Sequence, residues 1–108
     1  MKVNILGTEY EIKYLSDSEY QKLKICEANG LAELYSKELI INSEMDDGSG
    51  KTYANFDEFK NNVIRHEIIH AFFHESGLSD YCEDEDLVCW MALQFPKIMK
   101  VFQDADCL

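Results

Sequence analysis

Long hydrophobic runs and basic residues are both scarce in this chain of 108 residues. No apolar stretch approaches the roughly 20 residues that a membrane-spanning helix needs, so we expect no membrane partner. The first residues also lack the continuous apolar segment of a secretory signal, which favours a cytoplasmic protein. Lysine and arginine total 10 against 21 acidic residues, and the net charge of −11 argues against nucleic-acid binding through a basic patch.

Cysteine pairs at the spacing of metal or redox motifs are also missing. The four cysteines form no C-x-x-C motif, which argues against a zinc ribbon and a thioredoxin-like centre; they are Cys26, Cys82, Cys89 and Cys107. In a reducing cytosol we expect free thiols that are mostly buried as small hydrophobic side chains. Proline occurs once, at Pro96, within a helical pattern that it is expected to kink or break.

The first half of the chain has strand character. Alternation of apolar and polar residues over residues 3–14, with a turn at Gly7 and Thr8, predicts a β-hairpin. Residues 19–28 predict a short helix that ends at Asn29 and Gly30. Residues 31–42 predict a second hairpin with its turn at residues 36–38, and residues 42–52 are polar and glycine-rich, which indicates a loop.

The second half has helical periodicity. Asn55 is expected to cap a long helix that ends near Ser76, with Gly77 as the residue after its C-terminus. Its apolar face is formed by Phe56, Phe59, Val63, Ile64, Ile68, Ala71 and Phe72. An acidic connection over residues 80–86 leads into a last helix. This order of elements predicts one α+β domain over residues 1–108, with a small antiparallel sheet packed on helices.

The strongest functional signal is the pentad His66-Glu67-Ile68-Ile69-His70 in the long helix. Residues four apart on a helix lie one turn above each other, so both imidazoles can point at one zinc ion. Glu67 can then hold the metal-bound water and take its proton. The alternative is a pair of partly buried histidines with no metal, which leaves the charged Glu67 without a reason to face the same region.

A catalytic zinc ion usually has three protein ligands, so one more is needed outside the pentad. The acidic residues 83–86 begin the next helix, and two antiparallel helices would bring them back toward the pentad. Glu85 has the best helical phase, because it shares a face with residues that would pack on the long helix; Glu83 and Asp86 are alternatives. A solvated acidic helix N-terminus that suits the helix dipole is the structural explanation of the same cluster.

Two further side chains near the pentad are expected to lie outside the metal site. His74 is four residues past His70, but a straight helix rises about 12 Å from His66 to His74, too far for one ion to bind all three histidines. Glu75 is five residues past His70 and points elsewhere.

Residues 65–78, RHEIIHAFFHESGL, resemble the active-site helix of small zinc metallopeptidases from phages and mobile elements. These are compact gluzincin-type domains related to the ImmA/IrrE-like peptidases. Residues 85–96, EDLVCWMALQFP, resemble the family's glutamate helix, and the likeness covers residues 61–98. The resemblance implies a minimal zincin-like fold, Zn²⁺ as the cofactor, His66, His70 and Glu85 as its ligands, and Glu67 as the general base.

The resemblance also implies that an edge strand of the sheet lines the cleft and binds a peptide as an added strand. The strand at residues 39–42 is the candidate edge, and the alternative is that it is an ordinary core strand. One departure from the family pattern is Cys89, which stands where such proteins often carry an acidic residue that supports a pentad histidine. That departure bears on the catalytic activity.

These features predict a zinc-dependent metallopeptidase of narrow specificity that acts on a protein or peptide. Tyr53, His74 and Tyr81 are candidate donors to the oxyanion. One alternative is a non-catalytic acidic binding protein that mimics DNA or occupies a basic host protein and retains a vestigial zinc site. Another is a structural zinc domain, whose fourth ligand would come from Cys82, Asp84 or Cys89.

Overall fold

The computed structural model describes residues 1–45 and 56–108. Within them the elements are β1 Lys2–Ile5, β2 Thr8–Leu15, α1 Gln21–Ile25, β3 Gly30–Glu33, β4 Glu38–Asn42, α2 Phe56–Glu75, α3 Ser79–Cys82 and α4 Glu85–Asp104. The predicted α+β class is confirmed, with four strands in one sheet. The predicted cap at Asn55, most of the predicted loop and Tyr53 lie outside the described residues.

The first hairpin is closed by two residues with left-handed backbone conformations. Leu6 has a φ of 51° and Gly7 a φ of 91°, as a two-residue turn between twisted antiparallel strands requires. The Gly7 amide donates to Asn4 Oδ1 at 2.9 Å, and Ile5 faces Thr8 in the ladder. The hairpin predicted from residues 3–14 is confirmed, with its turn one residue earlier than predicted.

The sheet is mixed, so the predicted antiparallel sheet is wrong. Its order is β1-β2-β4-β3, and β2 pairs with β4 in parallel, from Glu11 opposite Glu38 to Leu15 opposite Asn42. The second hairpin is confirmed, since β3 pairs antiparallel with β4. After α1, the chain first forms the edge strand β3 and then the inner strand β4, which lies between β2 and β3.

Strand β4 is therefore an inner strand, and its prediction as the edge is wrong. Leu39, Ile40, Ile41 and Asn42 are all buried, at 7% exposure or less. A continuous run of buried residues is typical of a strand that is covered on both faces. Within the described residues, the edge strands are β1 and β3.

Helix α2 lies between the sheet and helix α4 and carries both hydrophobic clusters. The larger cluster joins the sheet to α2 and contains Ile5, Tyr10, Ile12, Leu39, Ile41, Met45, Val63 and Ala71. The smaller joins Ile69 of α2 to Val88 and Ala92 of α4. At the end of α2, Gly77 has a φ of 76°, which confirms its predicted role after the helix C-terminus. No helix in the described parts of the chain has the length and apolar character to cross a membrane.

Helix α4 continues through Pro96, so the predicted break there is wrong. A proline has no amide hydrogen to donate to the carbonyl four residues earlier, which here belongs to Ala92. Arg65 of α2 supplies the missing donor, because its Nε lies 2.8 Å from the Ala92 oxygen. The neighbouring helix thus satisfies the carbonyl that proline leaves free.

The cysteines are free, as predicted, but the prediction that most are buried is wrong. Cys82 alone among the four is buried, whereas Cys26, Cys89 and Cys107 are exposed. Cys26 caps the end of the short helix α1, and Cys107 follows the end of α4, where few residues can cover a side chain.

Candidate metal centre

The three predicted ligands lie together where α2 faces the start of α4. His66 Nε2 is 3.1 Å from Glu85 Oε2, and His70 Nε2 is 2.7 Å from Glu85 Oε1. The two Nε2 atoms are 3.1 Å apart. One donor atom from each residue lies within 4.8 Å of the others, and within the described chain Glu83 and Asp86 do not join this group.

The imidazole of His70 is held in one orientation by the backbone of α3. Its Nδ1 lies 2.6 Å from the carbonyl oxygen of Cys82. A carbonyl oxygen can only accept, so Nδ1 carries a hydrogen and donates it, which leaves Nε2 directed at Glu85. The Cys82 thiol in turn donates to the His70 carbonyl at 3.2 Å. The sequence did not predict this support, because every residue type has a backbone carbonyl.

The imidazole of His66 contacts the side chain of Cys89. Its Nδ1 is 3.7 Å from Cys89 Sγ. Burial lowers the pKa of His66, and the opposing effect of the Glu85 carboxylate does not cancel it, so this histidine is neutral at pH 7. Burial also raises the pKa of the Cys89 thiol, and the nearby carboxylate of Glu85 raises it further. Cys89 is therefore a thiol beside a neutral imidazole rather than a charged partner.

The arrangement of donor atoms fits a bound cation. In the neutral tautomer with a hydrogen on Nδ1, the Nε2 lone pair of His70 would point at Glu85 Oε1 at 2.7 Å. Two acceptors at that distance repel each other unless a proton or a cation lies between them. Zinc holds its nitrogen ligands at about 2.0–2.1 Å, so tetrahedral ligand atoms are about 3.3 Å apart. The separations of 2.7–3.1 Å are close to that value, and two imidazoles with one carboxylate are a donor set of catalytic zinc sites.

Glu67 lies beside this group and is nearly inaccessible to solvent. Its residue exposure is 5%, and its Oε1 is 4.0 Å from His66 Nε2. Burial, and then the nearby carboxylate of Glu85, raise the pKa of Glu67 to about 8. At that pKa the carboxyl group is mostly protonated at pH 7, and a cation held by the neighbouring side chains would lower the pKa toward the carboxylate form that accepts a proton.

A cleft with a volume of about 510 Å³ opens over these side chains. Its helical side includes His66, Glu67 and His70, together with Glu83 and Glu85. Its opposite side is lined by Gly30, Leu31 and Ala32 of strand β3. An edge strand therefore borders the cleft, but it is β3 rather than the predicted residues 39–42.

Two of the predicted oxyanion donors, His74 and Tyr81, do not lie in this cleft. His74 packs edge-on against Tyr35, with ring centroids 5.7 Å apart. Tyr81 packs on Phe73, with centroids 5.9 Å apart. Neither is among the described residues that line the cleft.

Glu75 points away from the pentad and toward the sheet, as predicted. Its carboxylate accepts hydrogen bonds from Tyr10 Oη at 2.6 Å, Lys37 Nζ at 2.7 Å and Thr8 Oγ1 at 3.1 Å. These bonds lower the pKa of Glu75 to about 2, and the bond from Lys37 has the largest effect on that pKa. Glu75 therefore ties the end of α2 to β2 and takes no part in the centre.

The side chains proposed to close a structural zinc site are engaged elsewhere. Cys82 Sγ donates to the His70 carbonyl, and Asp84 caps α4 by accepting from the Leu87 amide at 3.1 Å. Cys89 Sγ faces Nδ1 of His66, not the Nε2 that points at Glu85. Within the described residues the group thus has three protein donors, which leaves a coordination position open.

Comparisons with protein-family models, with curated proteins and with solved structures found no match. The likeness of residues 61–98 to gluzincin-type peptidases therefore stays a prediction from the sequence.

Proposed function

We propose that this protein is a zinc-dependent metallopeptidase related to the small gluzincin-type enzymes. The observation that carries the proposal is the convergence of His66, His70 and Glu85 within 4.8 Å, with the buried Glu67 beside them at the base of a cleft. Two histidines one helical turn apart, a carboxylate from the next helix and an open position are the elements of a catalytic zinc site.

Each side chain has a definite part in the proposed reaction. His66, His70 and Glu85 would hold the ion, which supplies the Lewis acidity that polarises the scissile carbonyl and acidifies the attacking water. Glu67 accepts a proton from that water and delivers it to the leaving amine. The Cys82 carbonyl keeps His70 in the tautomer that leaves Nε2 free, so it maintains the geometry of the ligands.

The proposed substrate is a polypeptide that lies along β3. Among the described residues this strand pairs only with β4, and its residues Gly30, Leu31 and Ala32 line the cleft. The free side of an edge strand has backbone donors and acceptors that can pair with an extended peptide. A peptide bound in this way would pass over Glu67 and the three donor atoms. A domain this small offers little surface for general digestion, which favours one partner protein as the substrate.

The surplus of 11 negative charges supports a second candidate, a non-catalytic protein that binds a basic partner. In that case the metal group would be structural or vestigial. The two candidates differ in their need for Glu67, because a binding function requires no proton transfer.

The decisive experiment combines metal analysis with one conservative substitution. We expect protein prepared without added zinc and then supplied with it to bind one ion per chain, and His70→Ala and Glu85→Gln to lose it. The zinc-loaded wild type should cleave members of a mixed peptide library, followed by mass spectrometry. Glu67→Gln should keep the zinc and lose the cleavage, whereas the exposed control Glu9→Gln should keep both.

Two outcomes would contradict the proposal. Wild-type protein that binds no transition metal after zinc is supplied would remove the centre itself. If the Glu67→Gln variant cleaves as well as the wild type, Glu67 is not the general base. If that variant keeps the biological effect of the wild type, binding without catalysis is favoured.

A further inference from the structure

Gly30 lies where strand β3 passes closest to helix α2. A Cβ atom built on Gly30 would be 2.9 Å from Cγ of Glu67, 3.3 Å from Cδ of Glu67 and 3.1 Å from Cγ1 of Val63. Non-bonded carbon atoms have their optimal separation at about 3.5–4.0 Å, so a side chain at this position would overlap its neighbours. The carbon chain of Glu67 occupies the space that any other residue at position 30 would need.

The backbone does not explain this glycine. Gly7 and Gly77 have positive φ values, which favour glycine, but Gly30 is not among the described residues with positive φ. It lies in a strand and pairs with Ile41, in a conformation that other residues adopt readily. A glycine inside a strand has a higher entropic cost than alanine, and it often marks a close approach of another group. Here the approaching group is Glu67.

We propose that Gly30 is a positioning residue for Glu67. The missing side chain lets Glu67 lie between α2 and β3 with its carboxylate 4.0 Å from His66 Nε2. The helix cannot easily retreat from β3, because Val63 and Ala71 of α2 belong to the core shared with the sheet. A methyl group at position 30 would therefore turn the Glu67 side chain out of its place. The catalytic part of this inference rests on the proposed function; the contact itself does not.

The metal ligands should be spared by the same change. The three atoms nearest to the added Cβ belong to Glu67 and Val63, and none belongs to His66, His70 or Glu85. Gly30→Ala is therefore expected to separate proton transfer from metal binding. That separation distinguishes a positioning role from a general loss of structure.

The contact is tested first by a stability cycle that needs no substrate. Gly30→Ala is measured by urea unfolding in the wild type and in the Glu67→Ala variant. We expect it to lower the midpoint more in the wild type than in the Glu67→Ala variant, where only the contact with Val63 remains. If Gly30→Ala fails to fold alone but folds together with Glu67→Ala, the contact is also supported. Equal shifts in both backgrounds, or failure to fold in both, would overturn the inference.

The second test measures peptide hydrolysis by the zinc-loaded protein. Gly30→Ala should lower kcat by at least about tenfold, because small displacements of a catalytic group have large effects on rate. KM and the zinc Kd should stay within about twofold of the wild type. The control is Ala105→Gly, an equally small change at the exposed C-terminal end of α4 and outside the cleft, which should leave kcat unchanged. An unchanged kcat in Gly30→Ala, or a loss of zinc that parallels the loss of rate, would overturn the positioning role.

The two tests separate this inference from the proposed function. If the wild type hydrolyses no peptide, the proposed function fails and the positioning role in catalysis fails with it. The stability cycle still decides whether Gly30 sets the place of Glu67.

Discussion

The hydrogen bond from Arg65 to Ala92 allows a quantitative test of how α4 tolerates its proline. Arg65→Met removes the Nε donor that lies 2.8 Å from the Ala92 carbonyl oxygen, while Ala92 itself is fully buried. The carbonyl would then lack both this donor and the amide that Pro96 cannot provide. An unsatisfied buried carbonyl costs about 1–3 kcal/mol. The other contacts of the Arg65 side chain, with the exposed Glu58 at 3.2 Å and with Asn62 Oδ1 at 3.5 Å, contribute less.

We therefore expect Arg65→Met to lower the free energy of unfolding by about 2 kcal/mol. The informative comparison is the same substitution in a Pro96→Ala background. Alanine at position 96 restores the amide that can donate to the Ala92 carbonyl within α4. Arg65→Met should then cost about 1 kcal/mol less than it does beside proline.

The assay is urea unfolding of the four proteins, followed by far-ultraviolet circular dichroism. Lys97→Met, which removes an exposed cation from α4, is the control for the loss of a positive charge in this acidic protein. If Arg65→Met has the same cost with proline and with alanine at position 96, the bond to Ala92 does not compensate for Pro96, and the explanation of the unbroken helix is wrong.

Three further predictions concern pH and zinc. The pKa of Glu75, lowered from 4.5 to about 2 by its bonds from Lys37 and Tyr10, makes its contribution to stability complete above about pH 4.5 and lost as the pH falls through 2. Glu75→Gln should therefore lower the Tm at pH 7 and have little effect below pH 2; a constant difference across this range would contradict the assignment. Cys89→Asp should tighten zinc binding by about tenfold, since a carboxylate beside His66 Nδ1 is a stronger acceptor than a thiol. Competition with a chromophoric chelator measures this, with Cys89→Ala as the control, and equal affinities of the two variants would count against it. Zinc at 100 times its Kd should stabilise the wild type by about 2.7 kcal/mol and leave His66→Ala unchanged, as followed by thermal unfolding; an equal rise in both would place the ion elsewhere.

Local patterns predicted the described strands and helices except α3, most of whose residues fall in the predicted acidic connection. They also singled out the side chains that lie together in the candidate centre. Alternation around Gly7 predicted the first hairpin, and helical spacing predicted α2 with its end at Gly77. The choice of Glu85 by helical phase agrees with its position beside His66 and His70 in the structure. The predictions of the first hairpin and of α2 succeeded because a period of two or of 3.6 residues reports directly which side of an element is covered.

Most of the features that were predicted wrongly or missed depend on a second element. Alternation tells which face of a strand is buried, but not which strand lies beside it or in which direction, so the parallel pairing of β2 and β4 had no local signal. The outcome at Pro96 depends on Arg65 from another helix. The role of Gly30 becomes visible only once α2 is in place. The prediction of residues 39–42 as the edge strand is different, because the apolar run Leu39-Ile40-Ile41 is itself typical of an inner strand.

The placement of the centre has a consequence for how this protein can diversify. His66, Glu67, His70 and Glu85 all come from one helical hairpin, whereas Leu31 and Ala32 of β3 form the facing wall. In the proposed metallopeptidase, the reactive groups and the wall that would contact the substrate therefore belong to separate stretches of the chain. We expect mutations in β3 to change the partner while the reactive groups stay intact, except at position 30, where the two stretches are in contact.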